Sequence, residues 1–322
     1  MNARACCGLG AITLAMLGCS APSCPTTPGG AARDFTAFPA IHDQPSFTRL
    51  LGLSDVHGGY DRMIALLARW GVIASAPVGP GAAEWTGGDA TLVVTGDLID
   101  KGSQSVEVLD FFRALGADAT ARGGQIVVTL GNHEAEFLAD PYNAKADTFD
   151  RELDAQGLDP CVVATTEPRG VWLRTRPIGA RMGDWFFAHA GQTHGRTVAA
   201  LEQTLELAIA RNDFRDNEII GPDSILEARA WWEAPAGSAQ GNATELAVAH
   251  IVFGHTPDAL DVRGAIGVGE NGLLFRIDTG MSPAVDDSQG SLLEITHDGA
   301  DEVATELRAD GVARPLWRGP KR

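Results

Sequence analysis

At 322 residues, with 44% hydrophobic and 21% charged side chains, the chain has the apolar mass for a sizeable core and is not a disordered polypeptide. Its formal net charge of -17 repels nucleic-acid phosphate and anionic headgroups at long range, so no nucleic-acid partner is expected.

The first residues stand apart. Met1 to Ala5 carry one basic side chain, Arg4, and Gly8 to Gly18 form an apolar run too short to span a bilayer as a permanent helix. The run ends in Met16-Leu17-Gly18-Cys19, which fits a bacterial lipoprotein cleavage box, with ordinary signal cleavage or a retained anchor as alternatives. Residues 1–18 are therefore expected to be a signal peptide and Cys19 the lipidated attachment to a membrane. With Ser20 next, the expected place is the cell envelope, at the periplasmic face of the outer membrane. Cys6 and Cys7 would leave with the signal; Cys24 and Cys161 remain, as a pair or as two free thiols. Residues 19–45, with SCPTTPGG at their heart, read as a flexible tether, residues 46–310 as one catalytic domain, and residues 311–322 as a tail.

Folded structure is expected to begin near Phe47, with a strand over Phe47 to Ser54 that stops at Asp55. A helix over Tyr60 to Trp70 follows, its Met63, Leu66, Leu67 and Trp70 at helical spacing. The unit recurs twice. A strand over Thr91 to Thr95 leads to Gly96-Asp97 and a helix carrying Val106, Leu109 and Phe112; a strand over Gln125 to Leu130 leads to Gly131-Asn132-His133 and a helix ending near Pro141. Ligands gather at the carboxyl ends of strands in such α/β units. Residues 140–170 read as an irregular or partly helical cap. Strands over Val171 to Ile178 and Asp184 to Ala188 then lead into His189, and a helix spans Arg196 to Arg211. Strands at His250 to Phe253, Leu273 to Ile277, Leu292 to Thr296 and Glu302 to Leu307 suggest a second sheet.

Six polar clusters punctuate these strands: SDVHGG, GDLIDKG, GNHE, FAHAG, FGHT and RIDTG. Singly, an Asp-x-His or a lone buried His is more often a capped turn or a satisfied core residue than a ligand; together they assemble carboxylates, imidazoles and one amide oxygen suited to two divalent cations. A hydrolytic two-metal site needs a bridging carboxylate and cations about 3.5 to 4 Å apart. Asp97 is the natural bridge, Asp55, His57 and Asp97 the first set, and Asp97, Asn132, His189 and His255 the second. Mixed oxygen and imidazole donors favour Mn, Fe or Zn over calcium. His133 is the candidate general acid, with Asp100 to orient it and keep it protonated. Glycines beside the ligands (Gly96, Gly131 and Gly254 among them) would let the backbone turn and phosphate approach.

These motifs resemble the metallophosphoesterase superfamily, and within it the bacterial Shewanella-like branch of the phosphoprotein phosphatases, over about Leu50 to Asp278. The resemblance implies a calcineurin-like four-layer α/β/β/α sandwich, two metals, and hydrolysis of phosphate monoesters by a bridging hydroxide. It departs in its substrate contacts. Lys101 follows the second aspartate of the GD block where eukaryotic protein phosphatases have Arg, and Glu136 stands where they carry another Arg, so one phosphate clamp is missing. Arg229, in SILEARAWW, resembles a substrate arginine of bacterial relatives, and Asn132 would also face substrate.

The expected activity is that of a phosphomonoesterase acting on phosphotyrosine, phosphoserine or phosphothreonine in proteins, or on a small phosphate ester. A nucleotide or dinucleoside polyphosphate hydrolase is the alternative enzyme. An inactive envelope scaffold is the alternative of another class, disfavoured because Asp97, Asn132, His133 and His255 are all in place.

Overall fold

The computed structural model describes Cys24, residues 33–234 and residues 238–321. The segment expected to be a signal peptide, Cys19 and Ser20 lie outside these residues. Two six-stranded sheets face each other among the described residues. The first has the order β12-β11-β10-β2-β3-β4, with β2 (Arg49–Leu53), β3 (Thr91–Val94) and β4 (Gln125–Val128) parallel and β10 (Ser291–Asp298), β11 (Asp301–Arg308) and β12 (Ala313–Pro320) an antiparallel meander beside β2. The second has the order β1-β5-β6-β7-β9-β8. Here β1 (Ile41–Gln44) runs parallel to β5 (Gly179–Met182), while β6 (Trp185–Ala188), β7 (His250–Phe253) and β9 (Leu274–Arg276) run parallel to one another and β8 (Gly267–Gly269) closes the edge.

Side-chain alternation explains the layering. In β2 and β3, Leu50 and Val93 point between the sheets, where they meet Phe187, Val252, Phe275 and Leu293. Their neighbours Leu51, Leu53, Leu92 and Val94 point the other way, into a second apolar layer filled by helices. Against the first sheet pack α1 (Tyr60–Arg69), with Met63, Leu66 and Leu67 buried, and α2 (Ser105–Ala121), with Leu109, Phe112 and Leu115 buried. Burying both faces of both sheets produces the α/β/β/α sandwich that was expected.

The cap is more regular than its composition suggests. After α3 (Asn132–Ala139) come α4 (Asp147–Ala155), α5 (Pro160–Thr165) and α6 (Pro168–Arg174); later come α7 (Val198–Asn212), α8 (Asn217–Ile220) and α9 (Ser238–Leu246). The first half of the expected strand at Val171 to Ile178 is instead the end of α6. Pro168 takes its first turn, where no N–H is needed, and the Glu167 side chain accepts Arg169 N at 2.8 Å as its cap. The late strands do not form one sheet of their own either: β7 and β9 join β6, and β10 and β11 join β2, because alternation identifies a strand but not its partner.

Both ends of the domain extend past the boundaries expected from sequence. The segment read as tether contains β1, and Arg33 donates to the carbonyls of Phe38 and Pro39 at 2.8 Å and of Arg176 at 3.0 Å. The presumed tail is β12, whose Trp317 ring lies 4.4 Å from that of His250. β1 and β12 are edge strands, polar and, in β12, proline-containing, so neither carries a core-strand pattern. Cys24 and Cys161 form a disulfide that ties the N-terminal segment to α5 of the cap.

Candidate metal centre

The sheets determine where the chemistry collects. Because β2, β3 and β4 are parallel in one sheet and β6, β7 and β9 in the other, the six polar clusters leave their strands at carboxyl ends. Asp55, His57, Asp97, Asn132, His189 and His255 are each at most 5% exposed, so their polar atoms need partners within the protein.

Tight turns aim these residues. Asp55, His57, Asp97, Asp100, Lys101 and His255 all have positive φ, between 44° and 69°, a backbone state that costs about 1–3 kcal/mol per non-glycine residue and persists only where the surroundings enforce it. Glu134, which sequence reasoning passed over, does much of that enforcing. Its buried carboxylate accepts Asp97 N (2.9 Å), Leu98 N (2.7 Å), Ile99 N (3.1 Å) and Gly131 N (2.8 Å), fastening the loop after β3 to the start of α3. Gly96 has φ +80°, and a Cβ there would lie 2.0 Å from Gly131 N, so the two loops touch backbone to backbone. A Cβ on Gly254 would lie 2.1 Å from Asp55 Oδ2.

Hydrogen bonds to backbone carbonyls choose which nitrogen each imidazole presents. A carbonyl only accepts, so the facing ring nitrogen carries the proton and the other keeps its lone pair. His57 Nδ1 donates to Ile99 O at 3.0 Å, His189 Nδ1 to Thr95 O at 2.9 Å, and His255 Nε2 to Glu227 O at 3.2 Å. The nitrogens turned away from those carbonyls are His57 Nε2, His189 Nε2 and His255 Nδ1.

Those nitrogens converge on Asp97. Its Oδ2 lies 3.2 Å from His57 Nε2 and its Oδ1 lies 3.3 Å from His189 Nε2, so its two oxygens serve opposite sides. On the His189 side, Asn132 Oδ1 lies 2.9 Å from His189 Nε2 and 3.1 Å from His255 Nδ1, and those two nitrogens are 3.1 Å apart. Asp97 Oδ1, Asn132 Oδ1, His189 Nε2 and His255 Nδ1 thus gather around one point, a donor set that suits a cation in place of the proton that His189 otherwise carries. The donors present therefore fit a metal. Ligand atoms of Asp97, His189 and His255 form one compact group, and those of His57, Asp97 and His133 form another. Asp55, expected in the first set, stands slightly back: its Oδ1 is 3.9 Å from His57 Nε2, and both its oxygens accept His255 N at 3.1 Å.

Electrostatics follow this geometry. Burial alone would raise Asp97, but His189, His133 and His57 together hold it well below the usual carboxylate range. Burial would likewise depress His189, yet Asp97 raises it to about 9; His255, buried beside His189, is pushed down to about 2. Two neighbouring imidazoles thus have opposite proton affinities.

His133 Nδ1 lies 2.9 Å from both Asp100 Oδ2 and Lys145 O, leaving its Nε2 turned toward Asp97 at 4.0 Å. Asp100 is itself fixed by Thr148 N and Phe149 N at the start of α4. Lys101 Nζ contacts His57 Nε2 at 2.8 Å, and Arg229 reaches Thr256 Oγ1 at 3.2 Å and His255 O at 3.4 Å from an irregular segment rather than a helix. Both cations border the centre. Trp231 and Trp232 serve packing: Trp231 Nε1 donates to Ala190 O at 2.6 Å, and Trp232 stacks on Phe253. Glu227 and Lys145 also touch the site, and neither was expected there from sequence.

The calcineurin-like phosphoesterase family model matches residues 48–268. Shewanella-like protein phosphatase 2 of Arabidopsis thaliana is 25% identical over 312 residues, 80% of this chain and 77% of that protein. A symmetrical bis(5'-nucleosyl)-tetraphosphatase of Methylococcus capsulatus is 33% identical over 153 residues, 44% of this chain and 50% of that protein, so the match spans only half of that relative's length. The crystal structure of a cold-active protein-tyrosine phosphatase from a psychrophilic Shewanella shares the fold, with TM-score 0.67 and 22% identity over 86% of this chain and 82% of that one. With more than half its length in that family model and these donors at its strand ends, the chain belongs to the calcineurin-like phosphoesterases, metal-dependent hydrolases of phosphoric esters.

Proposed function

We propose that the protein is a dinuclear phosphomonoesterase of the phosphoprotein phosphatase type, with two ions drawn from Mn, Fe or Zn. The observation that carries this reading is Asp97, whose two oxygens each face a separate imidazole set, as a bridging carboxylate must. Asp55, His57 and Asp97 would hold one ion; Asp97, Asn132, His189 and His255 the other. Bound there, the ions supply Lewis acidity, lowering the pKa of water and offsetting charge on phosphate.

The chain's own residues do the rest. His133, protonated and held by Asp100, delivers a proton to the leaving oxygen from Nε2. Lys101 and Arg229 lend positive charge to phosphate at the rim of a chain that is otherwise strongly acidic. Similarity to a plant phosphatase over 80% of this chain supports phosphorylated protein or a small monoester as substrate. The Cys24 to Cys161 disulfide supports an oxidising envelope compartment, in keeping with the lipoprotein-type start.

A second reading, hydrolysis of dinucleoside polyphosphates, draws on the partial similarity to tetraphosphatases. One experiment addresses both. Metal-reconstituted wild type should hold two ions per chain by elemental analysis and turn over phosphopeptides faster than dinucleoside tetraphosphates, while Asp97→Asn should lose both ions and activity together. Wild-type turnover in the variant would end the dinuclear assignment, and faster cleavage of the tetraphosphate would favour the second reading.

A further inference from the structure

Glu227 touches two residues of the metal centre at once. It lies in the turn after Ser224, and its side chain is only 10% exposed, so water competes little for its contacts. Its Oε1 accepts Asn132 Nδ2 at 3.2 Å, and its backbone carbonyl accepts His255 Nε2 at 3.2 Å.

Both contacts decide atom identity. A carboxylate is acceptor-only, so Asn132 must turn its NH2 toward Glu227 and its Oδ1 toward His189 Nε2 and His255 Nδ1. Were the amide reversed, two N–H groups would point at those nitrogens and an oxygen donor for a cation would be lost. The carbonyl acts in the same sense by holding the proton of His255 on Nε2.

Glu227 is held in turn by the cap. Lys145 Nζ makes ion pairs with Glu227 and, at 3.0 Å, with Glu136, while its carbonyl accepts His133 Nδ1. The carboxylate at position 136, unsuited to phosphate, has found a lysine instead. Asn143 Oδ1 accepts Lys145 N at 2.7 Å, and Asn143 Nδ2 donates to Glu136 O at 2.8 Å, so the turn carrying Lys145 is anchored to α3.

We propose that Glu227 is a positioning residue for the second metal set, fixing the amide of Asn132 and the tautomer of His255, with Lys145 holding its carboxylate in place from the cap. The proposal rests on the metal reading above.

The test is a double-mutant cycle on metal affinity. Mn²⁺ binding to metal-free protein is measured by equilibrium dialysis for wild type, Glu227→Gln, Glu227→Ala, Asn132→Asp and Asn132→Asp/Glu227→Ala, with thermal melting of each metal-free protein. Loss of an outer partner typically weakens metal binding about 10–100-fold, and that loss is expected for Glu227→Ala with the metal-free melting temperature retained. Glu227→Gln, which keeps the shape but offers both donor and acceptor, should lose less. An aspartate at position 132 has no amide to orient and would be repelled by Glu227, so in that background removing Glu227 should cost nothing or restore affinity. Equal losses in both backgrounds, or none in either, would overturn the proposal. Wild type that binds no Mn²⁺ would sink the underlying metal reading and this proposal with it, whereas normal wild-type binding with an unchanged Glu227→Ala would sink this proposal alone.

Discussion

His133 Nδ1 sits 2.9 Å from Asp100 Oδ2, and Asp100 Oδ1 accepts Thr148 N at 2.9 Å, so the partner of His133 is itself pinned by the first helix of the cap. Burial favours neutral His133, yet Asp97 and the Asp100 hydrogen bond outweigh it and raise its pKa above the ordinary histidine value. The imidazolium therefore survives to higher pH than a free histidine would.

His133→Ala should cost most where the leaving group most needs a proton. A loss of about 10²–10⁴ in kcat is expected on alkyl esters such as phosphoserine peptides, with a smaller loss on p-nitrophenyl phosphate. Asp100→Asn removes a charge that raises His133, so the alkaline limb of its kcat/KM profile should move to lower pH. Unchanged kcat on phosphoserine in His133→Ala, or an unmoved limb in Asp100→Asn, would contradict these roles.

Metal uptake should be proton-linked through His189. Without metal its pKa is about 9 against an ordinary 6.5, because Asp97 outweighs the effect of burial. A folded-state value raised in this way stabilises the metal-free protein fully below about pH 6.5, and the contribution fades as pH climbs through about 9. A metal ligand must be neutral, so binding at pH 7 displaces that proton. Calorimetry of Mn²⁺ binding in buffers of different ionisation enthalpy should register proton release at pH 7 that declines toward pH 9. Equal heats in all buffers at pH 7 would refute the linkage.

The disulfide should stabilise the whole domain. Cys24 and Cys161 are 137 positions apart, so the bridge removes much freedom from the unfolded chain. Cys161→Ser is expected to lower unfolding free energy by about 2–4 kcal/mol. Urea denaturation of wild type with and without reductant should reproduce the same difference; identical midpoints would show that the bridge contributes nothing.

Much of the centre was legible because its chemistry is local. Asp55, Asp97, Asn132, His189 and His255 each stand where an apolar run meets a glycine or a short polar cluster, and that pattern survives in one dimension. The contact between Asp100 and His133 was expected because a candidate acid needs a partner. Glu227 and Lys145 were not, since each lies in an irregular segment and acquires meaning only by what the fold brings beside it. Strands β1 and β12 escaped for a related reason, as an edge strand buries too little to leave an alternating signature.

By itself the chain's order of residues determined which donors exist and that each would leave the end of a strand, because residue identity and hydrophobic period are properties of neighbours in sequence. Tertiary structure alone decided which oxygen of Asp97 faces which imidazole, which nitrogen each histidine offers, and which way the Asn132 amide turns. Those choices depend on hydrogen bonds between atoms as far as 95 residues apart, and such bonds arise only once two sheets have packed face to face.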